Sequence, residues 1–233
     1  MISPWIAKVA NALPESWFRA ISSKVIRGYI NKYAKINIEG LEKIKNIEGP
    51  KIFICNHLSN SDGLVLNQVL KEYDPYFVAG IKLSNDPVTK MGTKVVKTIN
   101  IKPNSADKEA ITNIVKTIKK GHNLMIFPEG TRSRVGKMIE AKKGIVLIAR
   151  LTKATIIPIG MHGTEKLLPI NTVGDMSKEQ WHEAEVNIKI GNPMTLPKKD
   201  KEEGKHNYDD RCLMTMMKGI SNLLPKSYRG FYK

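Results

Sequence analysis

The sequence of 233 residues is poor in cysteine, in acid and in long apolar runs. Its two cysteines, Cys55 and Cys212, lie far apart and neither belongs to a CxxC pair. That excludes a disulfide framework or a zinc ribbon and suits a reducing compartment. No uninterrupted apolar stretch approaches the roughly 18 to 20 residues of a bilayer-spanning helix. The first residues lack the features of a secretory leader, because Lys8, Glu15 and Arg19 interrupt them, so they are expected to remain in the mature protein. Aromatics are scarce at 6%, and between residues 82 and 153 Phe127 stands alone. Nucleic-acid binding, which uses aromatics interleaved with base, is therefore disfavoured. Acid is the scarcer charge, and 38 Lys+Arg against 22 Asp+Glu leave a formal net charge of +16, so an anionic partner is expected.

What is present is unevenly placed. Residues 1–34 carry a net +4 and residues 82–153 a net +11, while the remaining segments are close to neutral. In the first of these, Ile2, Trp5, Ile6, Val9 and Leu13 share a helical face, and Pro14 marks a break. Trp17, Phe18, Ile21, Val25, Tyr29 and Tyr33 resume helical spacing, with Arg19, Ser22, Arg27 and Asn31 on the other side. The pattern predicts an amphipathic two-helix arm over 1–34, lying peripherally on an anionic membrane surface at its cytoplasmic face. Each basic residue there contributes about 1 kcal/mol. Packing of the same apolar faces on the rest of the chain is the alternative.

Beyond the arm, short β-branched runs at 36–38, 51–55, 76–79, 95–101, 124–127, 155–160 and 186–190 alternate with helical patterns at 62–72, 105–120, 141–151 and 209–224. Gly121 reads as a helix C-cap. The alternation predicts an α/β domain over 35–233, a central mostly parallel or mixed sheet layered by helices.

Two stretches carry chemistry, each directly after a strand. Asn56-His57-Leu58-Ser59-Asn60-Ser61-Asp62 follows the 51–55 strand. Ligands in open α/β sheets bind beyond the carboxyl ends of strands. If His57 sits in the turn and Asp62 in the first helical turn, the carboxylate orients the imidazole as a general base for a hydroxyl. The spacing of Ser59 and Asp62 also fits a capping box, so the residues equally suit a bare helix start. Ser59 lacks a Gly-x-Ser-x-Gly elbow and reads as a cap rather than a nucleophile.

Phe127-Pro128-Glu129-Gly130-Thr131-Arg132-Ser133-Arg134 follows the 124–127 strand. Gly130 permits close backbone approach, and Arg132, with Arg134 beside it, offers a fork of donors for phosphate. The plainer reading is a basic turn with a salt-bridged Glu129. A P-loop is rejected, because Gly136-Lys137 is followed by Met138 and Gly130 precedes it at the wrong spacing.

Together, in this order, the two stretches resemble the PlsC-type glycerophospholipid acyltransferases, with Thr155-Ile156-Ile157-Pro158-Ile159-Gly160 similar to a further block of that family. The likeness covers roughly residues 36–195. It implies that His57 is the general base and Asp62 its partner, and that Glu129, Gly130, Thr131 and Arg132 form the acceptor and phosphate site. The family's second block usually carries an arginine after an apolar strand; here Lys102 occupies that place, and Lys82 resembles a lysine preceding it. The implied reaction moves an acyl group from acyl-CoA or acyl carrier protein to a lysophospholipid hydroxyl, 1-acyl-glycerol-3-phosphate first, with no cofactor or metal. Glycerol 3-phosphate or another lysophospholipid is the alternative acceptor. A thioesterase and a non-catalytic basic membrane-binding protein are the rivals from other classes.

Overall fold

The computed structural model describes residues 15–80, 92, 95–102, 107–171 and 178–233. The expected first arm helix and Lys82 lie outside these residues. Helix α1 (Glu15–Tyr33) runs into β1 (Ala34–Glu39). There follow β2 (Lys51–Cys55), α2 (Asp62–Val69), β3 (Tyr76–Gly80), β4 (Lys97–Ile101), α3 (Lys108–Lys119) and β5 (Leu124–Ile126). The chain continues through α4 (Gly144–Thr152), β6 (Thr155–His162), the single turn α5 (Thr164–Leu167), β7 (Ala184–Ile190) and α6 (Lys205–Ser221). No helix among the described residues is long and apolar enough to cross a membrane.

The strands form one seven-stranded sheet in the order β1-β7-β6-β2-β5-β3-β4. Its pairings are parallel except for β6 with β7. The sheet is thus mixed and mostly parallel, as the alternation of β-branched runs with helical patterns predicts. The central strand β2 is buried at all five positions, the signature of a strand covered on both faces. Its side chains divide between two cores by simple alternation. Ile52 and Ile54 pack with Ile114, Ile118, Ile145, Ile148, Met216 and Ile220 from α3, α4 and α6. Phe53 and Cys55 pack with Ile26, Ile30, Val65 and Leu66 from α1 and α2.

Helix α1 turns a different face inward from the one its aromatics suggest. Phe18, Ser22, Ile26 and Ile30 are buried at 4%, 0%, 4% and 1% exposure, whereas Trp17 and Ile21 stand 66% and 37% exposed. Ser22, expected on the polar side, lies in the buried row. Two rows at the same i, i+4 spacing run along this helix, and the one through Phe18, Ser22, Ile26 and Ile30 is buried. Helix α3 begins later than its pattern suggests, because the Asp107 side chain accepts the Ala110 N–H and caps it there. Gly121 ends it with φ of 90°, the left-handed geometry expected of that residue.

Candidate active site

The site forms where β2 and its parallel neighbour β5 release the chain at the same edge of the sheet. Asn56 leaves β2 by imitating a strand residue: its side chain accepts the Met161 N–H at 2.9 Å and donates to the Met161 carbonyl at 2.8 Å. Anchored so, the chain turns back on itself and starts α2 at Asp62. The Asp62 Oδ2 accepts the His57 Nδ1–H at 2.8 Å, the Leu58 N–H at 2.6 Å and the Ser59 N–H at 2.9 Å. Bonding to Nδ1 leaves Nε2 of His57 as the basic nitrogen. The expected fold-back of Asp62 onto His57 across the turn is what the geometry contains.

Ser59 does not cap α2. Its hydroxyl donates to the Leu168 carbonyl at 2.7 Å and accepts the Ser61 N–H at 3.1 Å. Only half of the capping box exists, the Asp62 carboxylate on the Ser59 N–H, because the hydroxyl is drawn into the loop that covers the turn.

The β5 turn locks onto His57 from both ends. Pro128 and Gly130 occupy the second and fourth places of a tight turn, closed by the Gly130 N–H on the Phe127 carbonyl at 3.0 Å. Gly130 sits at φ of 71°, and a Cβ there would meet the Lys142 side chain at 3.3 Å. Phe127 stacks on the imidazole with ring centroids 4.1 Å apart. Glu129 is wholly buried; one oxygen accepts the His57 N–H at 2.9 Å and the other the Ile139 N–H at 2.8 Å. The His57 carbonyl in turn accepts the Ser133 N–H at 2.8 Å. Glu129 therefore holds the main chain of His57 to that of Ile139, each oxygen accepting one main-chain N–H.

Burial pushes the Glu129 carboxyl up to about 7, against the pull of its two N–H donors, with the Asp62 charge adding to the rise. Burial likewise pushes the Cys55 thiol well above its usual range, reinforced by the charges of Asp62 and Glu129. Cys55 is a neutral packing residue behind the site, without the thiolate a nucleophile needs. Among the described residues, no three His, Cys, Asp or Glu side chains converge on a common point.

Of the remaining expected residues, Thr131 is exposed on the turn. Arg132 donates from Nη1 to Glu179 at 2.6 Å, and the other Glu179 oxygen accepts from Asn60 Nδ2 at 2.7 Å. Lys102 is exposed at the same sheet edge, after β4. It lies three strands from β2, about 14 Å at the usual strand spacing. Its backbone N–H is held by Asp107 at 2.9 Å.

Two contributors carry no motif. Glu179 stands 47 residues from Arg132 in a polar stretch, with nothing in its neighbourhood to flag it. The final residues brace the loop behind Glu129: the Met138 N–H donates to the Tyr228 carbonyl at 2.9 Å, the Phe231 N–H to the Met138 carbonyl at 3.1 Å, and the Ala141 N–H to the Tyr232 hydroxyl at 2.9 Å.

An α/β sheet with a histidine and a carboxylate at one strand end, locked to a glycine turn at the next, defines a class. The acyltransferase family profile matches residues 35–162, and the chain belongs to that family, of the PlsC type. It is 30% identical over 148 residues to the chloroplastic 1-acyl-sn-glycerol-3-phosphate acyltransferase of Arabidopsis thaliana, covering 62% of this chain and 41% of that protein. A 1-acyl-sn-glycerol-3-phosphate acyltransferase of Bacillus subtilis is 23% identical over 180 residues, covering 76% of this chain and 81% of its own length. The crystal structure of PlsC from Thermotoga maritima superimposes with a TM-score of 0.63 at 20% identity, covering 94% of this chain and 87% of that one, a likeness of fold. The chain spans about two fifths of the length of the curated relatives it matches first.

Proposed function

We propose that the chain transfers a fatty acyl group from an acyl thioester to the free hydroxyl of 1-acyl-glycerol-3-phosphate, giving phosphatidic acid. The observation that carries this reading is the pairing of His57 Nδ1 with a buried carboxylate, which frees Nε2 to take a proton. The acceptor hydroxyl attacks the thioester carbonyl as its proton passes to His57 Nε2. The tetrahedral intermediate then collapses, the carbon–sulfur bond breaks, and His57 returns the proton to the departing thiolate. No covalent enzyme intermediate is required, and no cofactor beyond the thioester. Arg132 and Thr131 are assigned to the acceptor phosphate, Gly130 to close approach of the backbone, and Glu129 to holding the main chain of His57. Lys102, on the same rim, is assigned to longer-range attraction of anionic substrate.

A membrane surface as the source of acceptor is supported by α1. Trp17 and Ile21 are exposed on it, and an open groove of about 450 Å³ is lined, among the described residues, by Lys24, Val25, Gly28, Tyr29, Lys32 and Tyr33. Apolar side chains flanked by lysines suit an anionic interface.

The test is an acyltransfer assay crossing 1-acyl-glycerol-3-phosphate, glycerol 3-phosphate and other lysophospholipids with acyl-CoA and acyl carrier protein thioesters. Acceptor-dependent ester product is expected. His57→Ala is expected to lose about 10² to 10⁴ in rate while its melting temperature stays near the parent's, since the ring is stacked at the edge of the core. Free fatty acid formed without acceptor points instead to a hydrolase, and near-parental turnover of the variant removes His57 from the chemistry.

A further inference from the structure

The acceptor assignment above leaves Glu179 without a role, and its placement is unusual. Its side chain is 1% exposed and faces Arg132, itself 16% exposed, so the ion pair is largely out of water. Pairs of this kind add little net stability, because desolvation offsets most of the attraction. What this one adds is geometry, since its two oxygens go to different turns. Oε1 accepts from Arg132 in the turn after β5, and Oε2 accepts from Asn60 in the turn after β2.

We propose that Glu179 is a positioning residue that fixes the phosphate-binding arginine relative to the catalytic histidine. The proposal rests on the assignment of Arg132 to the acceptor phosphate. The contact on Arg132 is single, through Nη1. A carboxylate engaging the whole fork would consume the face of the guanidinium that recognises phosphate. The Glu179 contact uses Nη1 and does not occupy the Nε–Nη2 edge of the guanidinium, the edge that suits a phosphate. The reacting hydroxyl and the phosphate belong to one acceptor molecule. The distance between Arg132 and His57 therefore decides whether the hydroxyl reaches the base, and Glu179 with Asn60 spans the two turns that set it. Misplacement by about 1 Å at such a site costs on the order of 10² in rate.

The experiment compares Glu179→Ala, Asn60→Ala, Arg132→Ala and the Arg132→Ala/Glu179→Ala pair. Each is assayed with 1-acyl-glycerol-3-phosphate, with monoacylglycerol that lacks the phosphate, and with varied acyl thioester. Glu179→Ala is expected to raise the acceptor KM by about tenfold or more and to lower kcat. The donor KM should move by less than about twofold, since only the acceptor side is touched. Asn60→Ala breaks the bridge without stranding Arg132, and is expected to lower acceptor kcat/KM by about threefold or more. Glu179→Ala is expected to add little in the Arg132→Ala background, the non-additivity of residues acting as a unit. The proposal is overturned if Glu179→Ala and Asn60→Ala leave acceptor kinetics unchanged. Equal shifts in donor and acceptor KM with a lowered melting temperature also overturn it, because they mark a purely structural support. If Glu179→Ala does not fold, Asn60→Ala alone decides by the same criteria. If Arg132→Ala keeps the parental preference for the phosphate-bearing acceptor, the assignment of Arg132 fails and the proposal falls with it. That outcome is distinct from one in which Arg132 matters and Glu179 does not.

Discussion

Glu129 shows what burial does to a single residue. Its sequence neighbours mark it as part of an acceptor site, but only the fold reveals that both oxygens are taken by the N–H groups of His57 and Ile139. Its carboxyl is raised from 4.5 to about 7 when folded. The folded chain therefore binds this proton more tightly than the unfolded chain, and stability falls as pH rises through that window. The contribution is whole below about pH 4.5 and is lost above about pH 7, amounting to about 3 kcal/mol. Glu129→Gln has no such titration. The stability of the parent minus that of the variant, from urea unfolding at a series of pH values, is expected to shrink by about that amount across the window. A difference that does not change with pH overturns the assignment. The spacing of His57 and Asp62 left a helix cap and an oriented imidazole equally open, and the fold-back of the carboxylate onto Nδ1 is seen only in the folded turn. Glu179 was not legible at all, because an ion pair across 47 residues leaves no local trace.

At the scale of elements, periodicity located the seven strands of the sheet to within a few residues, since short β-branched runs bounded by turn residues favour strands whether or not both faces are covered. It did not decide which side of α1 meets the sheet. Adjacent residues on that helix now have opposite roles, one buried and one 66% exposed. Phe18→Ala is expected to cost about 3 kcal/mol of stability and to leave vesicle binding unchanged. Trp17→Ala is expected to leave the melting temperature unchanged and to weaken binding to anionic vesicles in co-sedimentation. The reverse result would mean the inward row is misassigned. The carboxy-terminal brace offers a second test. Gly230 lies at φ of 50°, and a Cβ there would fall 2.0 Å from the Met138 carbonyl oxygen. Gly230→Val is expected to dislodge the brace, lower the melting temperature by several degrees and slow turnover, because the loop carrying the Ile139 N–H would loosen its hold on Glu129. Parental stability in that variant would show that the brace is dispensable. Nothing in the sequence near Gly230 announces this contact, since its partner lies across the fold.

For the whole molecule, the charge of +16 favours an anionic partner but does not say where one would meet the protein. The basic block of residues 82–153 reads as one patch along the chain, yet α3 carries part of it to the far end of the sheet. Lys116, Lys119 and Lys120 lie towards the entry to β5, at the opposite edge from His57, whereas Arg132, Arg134, Lys137 and Lys142 stay with the site. Raising salt from about 0.1 to 1 M shortens electrostatic reach from about 10 to 3 Å. Vesicle association is expected to weaken steeply over that range, and acceptor KM to rise less, because a close phosphate contact is screened less than a distant surface charge. Salt-independent association would assign binding to the apolar face of α1 alone. The sequence by itself determined the class of fold, the seven strands of the sheet and the two stretches at strand ends that hold the candidate site, because each rests on short-range periodicity or on a turn of a few residues. Only the tertiary structure decided which face of α1 is buried, that both Glu129 oxygens meet main-chain N–H groups, and that Glu179 joins the two turns. Those facts depend on which surfaces and charges meet across long separations of chain, and such meetings are settled by packing.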